Sequence, residues 1–403
     1  MTGNERLAHH DVVVIGGGNA GLSVAGRLHR YGMNDVAVIE PRSHHRYQPL
    51  FSHVAGGTAK ASQAHRPQGD VTPRGVTWRQ DRVVSINPDA SELVLALGTR
   101  MTYGHLVVCP GIQKDFDRIP GLVDALATPY VSSHYEFEYV AKTSRLLRDV
   151  REGTVVFVQP AGPATCAGAS QKPMYLACAY WRAKGVLDNI RVVMLVPDPT
   201  VFGIPAIDSE LERKIDEYGI ELRTSTELIE VDGDQRQIVV RTADGEPERM
   251  SYDVLNVVPP QSAPDWLKAS ALPAPGDAAG FVDVDPYTLR HRRHHNVWSL
   301  GDAAATLNSK SGGALREQAK VLAGNLRDVK AGKSPSARYS GYSVAPFTVS
   351  RGTVVFAEFD DRYRQKPTVP FWPGLARERR LTWVFDRHIL PWVYWNLILK
   401  GRA

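Results

Sequence analysis

The stretch from Asp11 to Glu40 limits what this chain can fold into more than any other. Asp11-Val12-Val13-Val14-Ile15 is a β-branched run that reads as a buried strand. Gly16-Gly17-Gly18-Asn19-Ala20-Gly21 then turns into Leu22 to Leu28, where the apolar spacing is helical. A second strand, 36–39, ends in Glu40, nineteen residues after Gly21. Gly16, Gly18 and Gly21 therefore form G-x-G-x-x-G in the strand–turn–helix–strand setting that gives the motif its meaning. Gly16 makes the tight turn, Gly18 lets backbone N–H groups approach a pyrophosphate at the helix N-terminus, and Gly21 allows helix to pack on strand. Asn19 and Ala20 open that helix, and Glu40 is placed to accept hydrogen bonds from a ribose. The expectation is an α/β chain that binds a dinucleotide.

At 403 residues there is room for two or three domains. Three cysteines (Cys109, Cys166, Cys178) imply no disulfide framework and a reducing compartment. Met1 to His10 has no apolar core of a signal or transit peptide, and no run of about 18 apolar residues exists to span a membrane. The formal charge is +5, with six Lys/Arg against two acids between Arg377 and the end. Four of the eight tryptophans (Trp372, Trp383, Trp392, Trp395) lie in or just before that tail, a mixture that fits a membrane surface better than a nucleic acid.

Along the chain, His44 to Phe51 follows the second strand, where ligands of open α/β sheets sit; Gln48 is placed to reach the cofactor, and His44 and His45 read as solvated loop. Residues 82–97 alternate as an antiparallel meander containing Val83, a common insert in flavin-binding domains, and a strand then breaks at Gly111. Helical spacing runs from Val131 to about Asp149. Gly153 to Val158 opens a second Rossmann-like unit whose turn, Gln159 to Gly168, carries prolines and Cys166 where a second dinucleotide needs glycines. Asn296 to Asp302 is a strand ending in Gly301-Asp302, and an Asp there suits a ribityl hydroxyl. The His/Arg run 290–295 reads as a solvated basic connection with no metal-ligand pattern.

These residues resemble the sulfide:quinone oxidoreductases, in particular the mitochondrial-type branch, over almost the whole chain. The match is carried by Cys166 to Leu176, Val257-Val258-Pro259-Pro260, Asp283-Val284-Asp285, Leu289 to Arg293, Gly301-Asp302, Ser309-Lys310, Ala357 to Asp360 and Pro391 to Asn396. The resemblance implies two Rossmann-like domains: an FAD-binding one (1–113, returning at 266–335) and a second (114–265). It also implies a C-terminal quinone and membrane-interface segment (336–403). It implies FAD, sulfide or a small thiol or persulfide as donor, quinone as acceptor, and peripheral attachment to the cytoplasmic face of a bacterial-type inner membrane. Cys166 matches the cysteine that carries the persulfide; a helix N-terminus and Lys172 are expected to lower its pKa. Lys310 matches a lysine close to the flavin, and Phe347 is the candidate for stacking on a quinone, with a plain core aromatic as its equal alternative. The resemblance also places the second redox cysteine directly after Gly-Asp, where this chain has Ala303. Two other readings therefore stand beside sulfide oxidation: an NAD(P)H-dependent quinone reductase, and a low-turnover flavin-binding persulfide carrier or sensor. The tail, interrupted by Pro391, is expected to form two short interfacial helices. Oligomeric state and covalent attachment of FAD stay open.

Overall fold

The computed structural model describes residues 7–368 and 376–403, so Trp372 lies outside the described residues. The first sheet is built on β1 (Ala8–Ile15), whose last four residues are fully buried. β1 pairs in parallel with β2 (Val36–Ile39) on one side, and β2 with β3 (Thr77–Arg79). On the other side lies the long strand β6 (Arg100–Val108). Its first half turns back antiparallel onto β5 (Glu92–Leu95), which pairs with β4 (Val83–Asn87); this is the expected meander. The second half of β6 receives β15 (Val297–Ser299) in parallel, so the chain returns to its first sheet almost 200 residues later. Helices α1 (Asn19–Arg30) and α6 (Gly312–Lys330) pack together over it through Leu22, Leu28, Leu315 and Leu322.

The second sheet is wholly parallel, in the order β7 (Val131–Ser132), β14 (Val254–Val257), β8 (Gly153–Val158), β9 (Ile190–Leu195), β10 (Glu221–Arg223). Buried on both faces, its strands read as continuous Val/Ile/Leu runs. It carries α3 (Phe137–Asp149), α4 (Ala167–Ala183) and α5 (Pro205–Tyr218). A three-stranded antiparallel sheet, β11 (Glu227–Asp232), β12 (Gln237–Arg241) and β13 (Pro247–Ser251), is appended. The expected helix from Val131 starts six residues late, because Val131 and Ser132 pair with Leu255 and Asn256 and Glu136 caps α3 through its side chain.

The hairpin β16 (Ser343–Thr348) and β17 (Val354–Phe359) packs on α4 and supports the tail. Two short tail helices broken at Pro391 were expected, yet Arg380–Val384, Phe385–Ile389, Leu390–Val393 and Tyr394–Ile398 follow one another without a gap. The second and fourth are π-helical. A wider turn absorbs the carbonyl that the proline cannot bond, which lets the helix continue past it. No helix among the described residues is long and apolar enough to cross a membrane.

Candidate active site around Cys166 and the nucleotide cradle

The glycines of the first turn differ in what surrounds them. A Cβ on Gly16, whose φ is +98°, would stand 2.3 Å from the Cys109 carbonyl oxygen, and one on Gly21 would stand 1.8 Å from the Gly16 carbonyl oxygen. These two hold β1, α1 and the Cys109–Gly111 loop together. Gly18 differs: no atom lies within 4 Å of where its Cβ would be. Gly18 also caps α1 without any side-chain hydrogen bond, which leaves the first-turn N–H groups of Asn19 and Ala20 without a side-chain partner. An open glycine above an uncapped helix N-terminus is the room and the charge a pyrophosphate needs. Glu40 sits beside it and accepts the N–H groups of Gly17 and Arg42, both at 2.9 Å.

Two residues that sequence reading missed complete this turn. Gln68 donates to the Gly17 carbonyl at 3.0 Å, and His45 Nδ1 lies 3.0 Å from the same oxygen. His45, read from the sequence as solvated loop, is 3% exposed and also meets the Tyr394 hydroxyl at 2.6 Å through Nε2. Burial pushes its pKa down to about 4, so it is neutral at physiological pH. A carbonyl only accepts, so Nδ1 carries the proton and Nε2 accepts from Tyr394. The sequence neighbour His44 is exposed, and alternation along the short strand 44–46 is the one signal that separates the two. Gln48 is exposed, and Val83 is a buried core residue of β4.

The return strand β15 delivers Gly301 and Asp302 to the same place. Gly301, at φ +74°, donates to Gln318 at 2.9 Å, and a Cβ on it would meet Leu315 and Ala20. Gly111, at φ +79°, faces open space on the far side. No hydrogen bond reaches the Asp302 carboxylate among the described residues. Burial pushes its pKa up, with Lys310 pulling it back. A half-buried carboxylate that no donor reaches among the described residues fits the hydroxyl of a ribityl chain. Lys310 is 8% exposed; its ammonium donates to the Ala304 carbonyl at 2.9 Å and lies 3.9 Å from the centre of the Phe281 ring. Burial lowers its pKa to about 8.

Cys166 is bound to this group through the backbone. Its N–H donates to the Lys310 carbonyl at 2.6 Å, and Thr165 and Lys310 form a parallel bridge. Tyr135 donates to the Thr165 carbonyl at 2.8 Å. Cys166 holds φ +47°, a left-handed conformation that costs a non-glycine residue of order 1 kcal/mol and persists only where the surroundings impose it. The expected low thiol pKa is not what results. Burial raises it, while Lys172 and the N–H of Ala169 pull it down without overcoming the burial. Thr165 directs its N–H and hydroxyl to Gln261, so donors that a second pyrophosphate would need from this turn are already engaged.

Among the described residues all three cysteines are free. Cys109 and Cys178 are fully enclosed, and burial drives both thiols well above their ordinary range. Ala303 is buried among Val282, Val297 and Ala304. Phe347 has no exposed face: it packs edge-on against Phe202 at 5.0 Å and lies against Gly168, the plain core alternative rather than a quinone platform. The run 290–295 is only partly solvated, since His291 is buried and bonds the Leu272 carbonyl.

Comparison with known proteins agrees with this arrangement. Residues 10–322 match the family described as pyridine nucleotide-disulphide oxidoreductase. The mitochondrial sulfide:quinone oxidoreductase of Mus musculus is 35% identical over 98% of this chain and 87% of its own length. That of Dictyostelium discoideum is 32% identical over 97% and 86%. The X-ray structure of the sulfide:quinone oxidoreductase of Aquifex aeolicus superposes with a TM-score of 0.81, covering 98% of this chain and 92% of that one at 18% identity. These relatives correct one expectation. The two sequence matches, which span nearly the whole chain, are mitochondrial proteins and point to a mitochondrial membrane, not to a bacterial-type inner membrane.

Proposed function

Because the chain belongs to the sulfide:quinone oxidoreductases, within the pyridine nucleotide-disulphide oxidoreductase family, we propose that it oxidises sulfide through Cys166 and passes the electrons through FAD to a membrane quinone. The observation that carries this is the backbone clamp between Cys166 and Lys310, which holds Cys166 in a left-handed conformation near Asp302 of the nucleotide cradle. Gly16, Gly18, Asn19, Ala20, Gly21, Glu40, Gly111 and Asp302 are the residues that would hold FAD, which when bound would supply two-electron redox chemistry.

With one cysteine at this place, the sulfur balance closes through an external thiol. Hydrosulfide and the Cys166 thiol give a Cys166 persulfide, one proton and two electrons. A small thiol RSH then takes the outer sulfur, leaving RSSH and the Cys166 thiol. The quinone takes up the two electrons and two protons, so each turnover draws one net proton from solution. Lys310 is the buried cation that would steady negative charge on a bound flavin, and the tail with its exposed apolar side chains would bring the quinone pool within reach.

Anaerobic stopped-flow spectroscopy tests this. Sulfide is expected to bleach the flavin band of the wild type and not of Cys166→Ser, and turnover with a soluble quinone is expected to require added thiol. Bleaching that survives in Cys166→Ser, or bleaching by NADH in place of sulfide, would overturn the reading.

A further inference from the structure

The turn that carries Cys166 has backbone carbonyls that its own helix does not satisfy. Thr165 lies before α4, and Cys166 caps that helix in a left-handed conformation. Further along, Pro173 sits inside α4 and has no N–H to give the Ala169 carbonyl four residues earlier. Two neighbouring side chains supply the donors. The Tyr135 hydroxyl donates to the Thr165 carbonyl at 2.8 Å and reaches the Cys166 carbonyl at 3.3 Å. His134 Nε2 lies 2.9 Å from the Ala169 carbonyl oxygen and makes the bond that Pro173 cannot. Burial lowers the His134 pKa to about 4, so the ring is neutral at pH 7. Facing a carbonyl, Nε2 carries the proton, and Nδ1 accepts from the Asn256 amide at 3.0 Å.

Both donors stand on a fixed frame. His134 is 1% exposed and Tyr135 8%, with their rings edge-on and 4.9 Å apart. They fill the span between β7, whose Ser132 pairs with Asn256, and the start of α3. At the far end Glu136 caps α3 and accepts from Lys114 at 2.7 Å. Phe137 then packs on Phe51 of α2 (Phe51–Ala55), with ring centres 5.5 Å apart. Residues that helical spacing would give to the first turn of α3 thus serve the cysteine turn. From the other side, the Lys310 carbonyl holds the Cys166 N–H. A left-handed cysteine relaxes to an ordinary conformation once its surroundings stop imposing the strained one, and its Cβ then points elsewhere.

We propose that His134 and Tyr135 are positioning residues for Cys166, holding its turn so that the sulfur keeps one direction relative to the nucleotide cradle. Tyr135 fixes the peptide groups on either side of the cysteine, and His134 fixes the first turn of the helix that follows it. Both act through the backbone of the turn, and neither makes or breaks a bond in the reaction. A displaced sulfur loses the near-attack geometry that reaction with a bound flavin requires, yet it still meets a reagent arriving from solution. The proposal deepens the sulfide reading above and rests on it.

The test follows two reactions of the same sulfur in the full-length protein. One is anaerobic flavin reduction by sulfide, resolved into a limiting rate and a half-saturating sulfide concentration. The other is alkylation of Cys166 by iodoacetamide, followed by mass spectrometry. In Tyr135→Phe and in His134→Leu the limiting rate is expected to fall about tenfold with half-saturation nearly unchanged. Alkylation is expected to quicken severalfold in both, because the loosened thiol is less buried. Pro173→Ala returns an N–H to the Ala169 carbonyl. Added to His134→Leu it is expected to bring both reactions back toward wild type, and added to Tyr135→Phe to change neither. If Tyr135→Phe does not fold, His134→Leu with and without Pro173→Ala decides alone. Flavin reduction at the wild-type rate in both single variants, a fall in both reactions together, or a failed rescue by Pro173→Ala would overturn the proposal. A wild-type flavin that sulfide never bleaches would instead remove the sulfide reading. Alkylation would then still decide on the clamp, and equal rates in wild type and both single variants would refute it.

Discussion

Two residues in one turn show how differently glycine can be required. Gly21→Ala drives a Cβ into the Gly16 carbonyl, so thermal unfolding of the cofactor-free protein should fall steeply, by several kcal/mol. Gly18→Ala meets nothing in the protein and keeps an ordinary φ of −75°, so the fold should tolerate it within about 1 kcal/mol. The loss there should appear in the ratio of bound flavin to protein, because the new methyl occupies the space left for the phosphates. Equal loss of stability in both variants would contradict this division. Lys310 gives a second prediction. Its pKa is about 8 in the folded chain against 10.5 in an open one, so between those values the unfolded chain binds the extra proton. Stability should therefore rise as pH climbs from 8 to 10.5, by about 3 kcal/mol. Urea unfolding of Lys310→Met, compared with wild type across that window, should lack the rise. The positions of the motif glycines, Glu40 and Asp302 at strand ends were legible because strand–turn–helix geometry is local, whereas the role of Cys166 came from the family resemblance. His45 and Gln68 were not legible, since their bonds to Gly17 depend on a turn folding back over the cradle.

The elements depart from their sequence reading where a distant partner decides. Val131 pairs with Leu255 in place of entering a helix, and the tail helix runs through Pro391 because π turns and a docking surface hold it. That docking surface is the cradle itself. Tyr394 donates to His45, the Tyr47 ring lies tilted against Tyr394 with centroids 4.3 Å apart, and Arg66 covers Trp395 at 4.4 Å. Lys400 packs its backbone onto Gly26 of α1. Tyr394→Phe leaves the buried His45 Nε2 without a donor and should cost about 1–3 kcal/mol. Since His45 hydrogen-bonds the carbonyl of Gly17, the same variant should release flavin faster when diluted, measured by recovery of flavin fluorescence. Unchanged release would mean the tail and the cradle are neighbours without being coupled. The Rossmann-like units were readable from the order of strands and helices. Contact between tail and cradle joins positions about 350 residues apart, and no local pattern encodes that.

At the scale of the whole molecule, the first part of the tail, 380–392, has its polarity the wrong way round for a helix resting on its own protein. Leu381, Val384, Phe385, Ile389 and Trp392 recur at helical spacing and are all exposed, Leu381 and Trp392 at 59% each, while Thr382 and Asp386 point inward. A water-facing helix normally shows the reverse. An outward apolar stripe in a segment that also carries Arg377, Arg380 and Arg402 is what docking on a lipid interface would use, with aromatic and aliphatic side chains entering the acyl boundary and cations meeting anionic head groups. The same helix that turns Trp392 outward turns Asp386 inward, toward His53 and Thr348. Flotation with vesicles containing cardiolipin should carry the wild type to the top of a density gradient. Ile389→Asp with Trp392→Asp should leave it at the bottom, while sulfide still bleaches the flavin in free solution, because neither side chain touches the cradle or Cys166. Higher salt should weaken the wild-type association without abolishing it, since the apolar stripe is not screened. If the double variant floats as well as wild type, the stripe covers something other than lipid, and the quinone must be reached from another face.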